Sequence, residues 1–287
     1  MMKAMIFAAG LGTRLKPLTD TMPKALVPVC GKPLLWHVMT KLKASGINDV
    51  TINVHHFADK IISYLGSVDG LGMDVHISDE RDMLLETGGG IRHAERYLCR
   101  PAGHVAWAGS DEAGHAGGRN GDSVPAGICG DSERDEARAG RFLVHNVDIL
   151  SDLDIRWFES QVRPGAIATL LVSDRKTSRY LLFDDDMRLV GWINVSTGEV
   201  RTPYPALDVA SCRMFAFSGI HILSDGIFPL FGSEGFGERF PIMDFYLKAA
   251  DRYPIYGVPA TGLHLIDVGK PGSLAEAEKL CQDIERH

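Results

Sequence analysis

The stretch MIFAAGLGTRL, residues 5–15, places a loop of small residues directly behind an apolar run. The apolar run predicts a buried strand, and the loop after it contains Gly10 and Gly12. Because glycine has no Cβ, such a loop can turn tightly and bring backbone N–H groups close to phosphate oxygens. The stretch therefore predicts an anion-binding loop at the end of a strand.

Two cations accompany this loop. Arg14 ends it, and Lys24 follows within MPKALVPV, residues 22–29. Guanidinium and ammonium groups form charge-assisted hydrogen bonds with phosphate, so the pattern favours a triphosphate ligand. It is not a Walker loop, which needs Gly-Lys-Ser/Thr, and Leu15 stands where the dinucleotide fingerprint has its third glycine. A nicotinamide-dependent oxidoreductase is therefore disfavoured.

Strand and helix patterns alternate along the chain. Strands are predicted at residues 2–9, 50–54, 73–77, 141–145 and 166–172, and helices at residues 33–44, 58–65, 90–98, 154–161 and 241–250. Such alternation predicts an α/β fold with a doubly wound, mostly parallel, Rossmann-like sheet that has helices on both faces. Residues 180–183 and 189–193 flank an acidic turn and predict an antiparallel hairpin insertion. Residues 273–276 form a capping box that predicts the start of the last helix.

The length of 287 residues and the 45% hydrophobic content allow one large α/β domain, and we predict a single domain over residues 1–287. Residues 101–140 interrupt the alternation. This segment is rich in glycine and acidic residues and has no clear period, a composition that cannot bury a core. We expect it to form a surface insertion.

Composition excludes several classes of protein. The net charge of −7 provides no basic surface for nucleic acid, and no apolar run approaches the roughly 20 residues that a membrane-spanning helix needs. The five cysteines are scattered without a C-x-x-C pair, so neither a disulfide framework nor a zinc site is indicated. A cytoplasmic location fits these features, and the sequence does not indicate the oligomeric state.

The combined pattern over residues 2–36 resembles the sugar-1-phosphate nucleotidylyltransferases. It consists of Gly-x-Gly-Thr-Arg, a Pro-Lys pair and a Gly-Lys-Pro at residues 31–33 that begins a helix. The resemblance implies that the loop binds the nucleotide and that two cations stabilise charge on the triphosphate. The nucleotide-binding residues of this loop would be Ala9, Gly10, Gly12 and Thr13, and the catalytic cations Arg14 and Lys24.

Two aspartates stand where apolar strands end. Asp148 follows residues 142–147, and Asp267 follows residues 263–266. Carboxylates at strand ends are common Mg²⁺ ligands in phosphoryl-type transfer, although a lone aspartate there is more often a helix cap. In the family, the aspartates of Asn-x-Asp and Asp-Val-Gly-x-Pro hold the metal, which implies Asp148 and Asp267 as Mg²⁺ ligands. Val147 departs from the glycine or alanine usual at that position.

Residues 85–91 form a second glycine-rich segment, which leads into a predicted helix. Three consecutive glycines could let a flat base or ribose lie against the backbone, beside the positive end of the helix dipole. In the family this region reads the base and ribose, which implies nucleotide contacts for Glu86, Gly88 and Gly89. The alternative is a flexible turn that only precedes the helix.

The resemblance also indicates a sugar-phosphate site. Residues 217–221 resemble a family segment whose glycine lies against the sugar, which implies Gly219, and Asn146 of the Asn-x-Asp motif is assigned to the same site. A phosphate monoester needs a cation besides the metal, and the candidates are Arg175, Lys176 and Arg179. The sequence does not choose among these three, and each could equally belong to a solvated basic turn.

The expected activity is Mg²⁺-dependent transfer of a nucleotidyl group from a nucleoside triphosphate to a sugar 1-phosphate, with release of pyrophosphate. The segment at residues 85–90 looks most like that of N-acetylmuramic acid 1-phosphate uridylyltransferases, so UTP is the expected nucleotide. One alternative is a mannose-1-phosphate guanylyltransferase or another synthase of nucleotide sugars. A second, of a different class, is a regulatory subunit that senses nucleotide sugars without catalysis.

Overall fold

A computed structural model describes residues 2–99, 140–269 and 271–285. The predicted insertion at residues 101–140 lies outside these ranges, apart from Gly140. The strands are β1 (Lys3–Phe7), β2 (Pro28–Val29), β3 (Lys32–Pro33), β4 (Asp49–Val54), β5 (Asp74–Asp79), β6 (Arg141–Asn146), β7 (Ile149–Ser151), β8 (Ala168–Ser173), β9 (Arg179–Phe183), β10 (Leu189–Asn194), β11 (Glu199–Arg201), β12 (Arg213–Ser224), β13 (Ile255–Pro259) and β14 (Leu265–Asp267). The helices are α1 (Leu34–Ala44), α2 (Ala58–Ser67), α3 (Glu86–His93), α4 (Glu95–Leu98), α5 (Ile155–Ser160), α6 (Ile227–Ser233), α7 (Ile242–Ala249) and α8 (Pro271–Glu285).

The main sheet has the strand order β11-β10-β9-β12-β6-β1-β4-β5, with β8 paired to both β12 and β13. Strand β1 lies between β6 and β4 and runs parallel to both, and β5 continues the parallel half beyond β4. The central residues of β1, Ala4, Met5 and Ile6, are fully buried, as expected for a strand covered on both faces. The carboxyl ends of β1, β4, β5 and β6 therefore meet at one edge of the sheet.

The other half of the sheet is mixed. Strand β12 runs antiparallel to β6, β8 and β9, while β13 runs parallel to β8. Strands β9 and β10 form an antiparallel pair, which confirms the predicted hairpin. Buried residues form two apolar cores, one on each face of the sheet. The predicted α/β class is confirmed: a mixed sheet, whose β6-β1-β4-β5 half is parallel, lies between helices.

Two helix starts differ from the prediction. Helix α3 begins at Glu86 rather than near Gly90, and α4 follows as a separate turn from Glu95. Helix α8 begins at Pro271, so the expected capping box at residues 273–276 lies within the helix rather than at its start. Proline is suited to a first helical position, because the N–H that it lacks has no acceptor within the helix there.

The three glycines of α3 are packing positions. A Cβ on Gly88 would lie 2.2 Å from Phe240 Cε2, and a Cβ on Gly89 would lie 2.1 Å from the Glu238 carbonyl oxygen. The N–H groups of Gly88 and Gly89 both donate to the Phe240 carbonyl oxygen, at 2.8 and 3.1 Å. The absence of side chains lets α3 approach the segment before α7, and this contact fixes where α3 begins.

We predict that Gly89→Ala destabilises the fold by roughly 1–3 kcal/mol, because the methyl group would have to displace backbone rather than a flexible side chain. Gly66→Ala is the matched control, since Gly66 lies in α2, is exposed, and has no atom within 4 Å of an added Cβ. The control should stabilise the protein by up to about 1 kcal/mol through helix propensity. Urea unfolding measures both changes, and equal midpoints for the two variants would contradict the packing account.

Candidate active site

The loop after β1 presents backbone donors at the carboxyl edge of the sheet. In the described part of the chain, the N–H groups of Gly10 and Leu11 have no hydrogen-bond acceptor, and Gly10 is exposed. Gly12 has a left-handed backbone with φ of +63°, and its carbonyl oxygen accepts a 2.8 Å hydrogen bond from Thr19 Oγ1. Thr13 starts a short 3₁₀ turn that exposes Arg14. The loop can therefore bind an anion.

Lys24 lies across from this loop in a short 3₁₀ turn, Lys24–Leu26. It is buried, and its ammonium group donates a hydrogen bond to a carboxylate oxygen of Asp148. Asp148 occupies the two-residue turn between β6 and β7. Val147, just before it, is 4% exposed and donates its N–H to the Phe7 carbonyl oxygen at 3.1 Å. The β-branched side chain thus packs into the core and leaves Asp148 free to face Lys24.

A short antiparallel ladder brings the second aspartate to the first. Strand β14 pairs with β7 so that Asp267 lies opposite Ile149, and Val268 N donates to the Asp148 carbonyl oxygen at 2.8 Å. Desolvation, and after it the Asp148 carboxylate, raises the pKa of Asp267, while Lys24, Arg14 and Arg175 act in the opposite direction. Two acidic groups and three cations thus share one electrostatic environment.

The first cavity, of about 390 Å³, lies on the β1 side of the aspartates. Its walls come from the loop after β1, the ends of β4, β5 and β6, and the start of α3. The residues relevant to chemistry that line it are Ala9, Gly10, Lys24, Asn53, Glu80, Glu86, Thr87, Asn146 and Asp148. Gly12 and Thr13 are not among its lining residues.

The second cavity, of about 370 Å³, lies on the other side and is rich in arginine. Arg14, Arg175 and Arg179 line it together with Asp267. Arg175 is oriented by a 3.1 Å hydrogen bond from its Nη2 atom to the Phe217 carbonyl oxygen. Lys176 does not line this cavity. The structure therefore distinguishes the three candidate cations: Arg175 and Arg179 line the second cavity, and Lys176 does not.

Gly219 of β12 lies against Asn146, the last residue of the antiparallel neighbour β6. Gly219 has φ of +75° at an irregularity in β12, and a Cβ there would lie 2.7 Å from Asn146 Nδ2. Gly269 has a similar position beside Asp267. A Cβ on Gly269 would lie 2.6 Å from Asp267 Oδ1 and 2.8 Å from Arg14 Nη2. These two glycines let the polar side chains of the site approach the backbone.

The expectation that Gly88 and Gly89 offer a surface to a base needs correction. Their Cα atoms face the segment before α7, and the Phe240 carbonyl oxygen already accepts both N–H groups. Glu86 and Thr87 line the first cavity instead. Glu86 has a left-handed backbone with φ of +63°, and its carboxylate accepts a 3.2 Å hydrogen bond from Arg239 Nε.

Sequence reasoning missed Asn53 and Glu80. Both are buried and line the first cavity, and Asn53 Nδ2 donates to Glu80 Oε1 at 2.8 Å. The available signal was a polar residue within the apolar run of β4. Trp192, Phe217 and Met243 of the second cavity were also missed, because they come from three elements that are separate in sequence, β10, β12 and α7.

A further group of potential metal ligands lies at the opposite edge of the sheet. Asp49, Asp74 and His76 each bring one ligand atom to within 4.8 Å of the others. Lys3 Nζ lies 3.4 Å from Asp49 Oδ2, so a cationic side chain already neutralises part of this group.

Among the described helices, none is long and apolar enough to cross a membrane.

Comparison with known proteins gives a family match and several similar relatives. Residues 3–113 match the family described as nucleotidyl transferase. The chain is 47% identical over 116 residues to the N-acetylmuramate alpha-1-phosphate uridylyltransferase of Caulobacter vibrioides, covering 40% of this chain and 48% of that protein. It is 46% identical over 94 residues to the enzyme of the same name from Neisseria meningitidis serogroup B, covering 32% and 40%. The matched region thus spans less than half the length of these relatives.

The fold also matches solved structures. The inositol-1-phosphate CTP transferase from T. maritima superposes with a TM-score of 0.68, over 99% of this chain and 96% of that one, at 15% identity. This likeness supports the α/β architecture of the described residues. The family match and the two relatives confirm the predicted resemblance: residues 3–113 match a nucleotidyl transferase domain, and over part of its length the chain is similar to sugar-1-phosphate nucleotidylyltransferases.

Proposed function

We propose that this protein transfers a nucleotidyl group from a nucleoside triphosphate to a sugar 1-phosphate and releases pyrophosphate. The observation that carries the proposal is the junction of the two cavities. Asp148 lines the first cavity, Asp267 lines the second, and the pairing of β7 with β14 holds the two aspartates side by side. A donor in one cavity and an acceptor in the other would meet at this junction.

The first cavity suits the nucleoside triphosphate. The free N–H groups of Gly10 and Leu11 would bind phosphate oxygens, and Lys24, with Arg14 from the wall of the second cavity, would stabilise the charge that moves onto the leaving pyrophosphate. Lys24 is already oriented by its contact with Asp148, so little side-chain reorganisation is needed. The base and ribose would lie towards Glu86 and Thr87, at the far end of the cavity.

The second cavity suits the sugar 1-phosphate. Arg175 and Arg179 would bind its phosphate. Asn146, which lines the first cavity, and Gly219, which lies against it, would contact the sugar from the junction of the two cavities. A phosphate oxygen of the acceptor then attacks the α-phosphorus of the triphosphate in line. One P–O bond forms, the bond to the β-phosphate oxygen breaks, and the electron pair leaves with pyrophosphate. The contribution of the protein is positioning and charge stabilisation, without a covalent intermediate.

Asp148 and Asp267 fit a magnesium ion. Both offer carboxylate oxygens, which Mg²⁺ prefers, and their two negative charges converge where a cation would relieve the repulsion. When bound, Mg²⁺ would supply charge neutralisation for the triphosphate and the incoming phosphate. The acidic and histidine group at Asp49 lies at the other edge of the sheet and is a poor candidate for this role.

We further propose UTP and an amino-sugar or muramic-type 1-phosphate as substrates, with the cytoplasm as the location. The support is the similarity to the two uridylyltransferases and the free thiols of Cys30, Cys99 and Cys212. The alternative pair of substrates is GTP with mannose 1-phosphate. A purely regulatory role is disfavoured, because all four charged residues assigned to the reaction line the two cavities.

A pyrophosphate-release screen tests the function. UTP, dTTP, GTP, CTP and ATP are each combined with a panel of sugar 1-phosphates in the presence of Mg²⁺, and kcat/KM is measured. We expect the highest value for UTP with an N-acetylated amino-sugar or muramic-type acceptor. A preference for GTP with mannose 1-phosphate would overturn the substrate assignment. Nucleotide binding without turnover for any pair would overturn the enzymatic proposal in favour of the regulatory one.

The second cavity also predicts different roles for two adjacent cations. Arg175→Ala should raise the KM for the sugar 1-phosphate by about tenfold or more, because a charge-assisted pair with the phosphate is lost. Lys176→Ala is the matched control, and its KM should stay within about twofold of the wild type, since Lys176 does not line the cavity. Similar KM values for the two variants would contradict the placement of the phosphate.

A further inference from the structure

We propose that Asn53 and Glu80 are positioning residues that hold the two walls of the first cavity in a fixed relative position for nucleotide binding. The inference rests on the proposed function, because the first cavity is there assigned to the nucleoside triphosphate. One wall is the loop after β1, and the other is the start of α3. Neither residue was indicated by the sequence motifs.

Asn53 fixes the first wall. Its side chain projects from β4 and is 1% exposed, and its Oδ1 atom accepts hydrogen bonds from Ala8 N at 2.7 Å and from Ala9 N at 3.3 Å. One side-chain oxygen thus binds two successive backbone donors at the point where β1 becomes the loop. Ala8 and Ala9 are held facing inwards, which leaves Gly10 and Leu11 as the first free donors of the loop.

Glu80 fixes the second wall. It follows β5 and is 3% exposed, and its Oε2 atom accepts a 3.3 Å hydrogen bond from Leu85 N, the residue before α3. Its own backbone is anchored to β4, since Glu80 N donates to the Val54 carbonyl oxygen at 2.8 Å and His55 Nδ1 lies 2.7 Å from the Glu80 carbonyl oxygen. Glu86 and Thr87 follow directly and line the cavity.

The hydrogen bond from Asn53 Nδ2 to Glu80 Oε1, 2.8 Å long, joins the two walls. Gly90 leaves room for it, because a Cβ there would lie 2.9 Å from Glu80 Oε1 and 3.4 Å from Asn53 Nδ2. Burial raises the pKa of Glu80, so the carboxylate is held at a cost in folding free energy that an apolar pair would avoid. A costly polar pair that lines the nucleotide cavity is better explained by positioning than by stability.

The polarity of this hydrogen bond provides the test. Glu80→Gln replaces an oxygen by an amide donor, which must then face either Asn53 Nδ2 or Leu85 N, and both are donors. Combining Glu80→Gln with Asn53→Asp exchanges the donor and the acceptor, so that the side chain at position 80 donates to the side chain at position 53. The new carboxylate at position 53 would still accept from Ala8 and Ala9 and would now accept from the amide at position 80, whose own oxygen would accept from Leu85. Every hydrogen bond of the wild type is then restored.

The measurement is the Kd of a non-hydrolysable UTP analogue by calorimetry, with the KM for the sugar 1-phosphate and urea unfolding alongside. Glu80→Gln should weaken nucleotide binding by about tenfold or more and leave the acceptor KM within about twofold. The double variant should recover binding to within about threefold of the wild type. Thr51→Val is the matched control, because Thr51 is buried on the same face of β4 and its hydroxyl has no partner among the described residues.

Three results would overturn the inference. They are unchanged nucleotide binding in Glu80→Gln, equal losses for nucleotide and acceptor that follow the loss of stability, or a stably folded double variant that does not recover. A wild-type protein that binds no nucleoside triphosphate would remove the proposed function first. That failure is seen before any variant is made, so the two failures are distinguishable.

Discussion

The pairing of β14 with β7 is the constraint on which the site depends. The two strands are short, and the ladder places Asp267 opposite Ile149 and ties Val268 N to the Asp148 carbonyl oxygen. Without this pairing, the second carboxylate would have no fixed position relative to Asp148 and the loop after β1. Because Asp148 follows β6 in the parallel half of the sheet, the ladder joins the last described strand to the edge where the parallel strands end.

The arrangement of charged side chains follows from this strand pairing. Lys24 contacts Asp148 on one side, and Arg14 and Arg175 lie on the side of Asp267, so the acidic pair is flanked by cations in both cavities. Glycines at residues 219 and 269 let these side chains approach the backbone. A net-negative chain can therefore bind polyanionic ligands, since its local cations face the cavities whatever the overall charge.

The sequence predicted those parts of the site that depend on strand ends and on local turns. Asp148 and Asp267 are one such part, since each was indicated by its place at the end of an apolar run, although their approach depends on the antiparallel pairing of β14 with β7. The glycines of α3 were misinterpreted, because their true neighbours, Glu238 and Phe240, are far away in sequence and no local pattern reports them. The same limit explains why Asn53 and Glu80 were missed: each is ordinary in its own segment, and only the pairing of β4 with β5 brings them together. The choice among Arg175, Lys176 and Arg179 likewise needed side-chain positions.

The most direct test of the central claim asks whether the two aspartates hold the same ion. Mg²⁺ is titrated calorimetrically into the protein saturated with a non-hydrolysable UTP analogue, for the wild type, Asp148→Asn, Asp267→Asn and the double variant. If both carboxylates bind one ion, each single variant should lose about tenfold or more in Mg²⁺ affinity, and the double variant should lose less than the product of the two. Losses that multiply fully, or wild-type affinity in either single variant, would contradict a shared metal site.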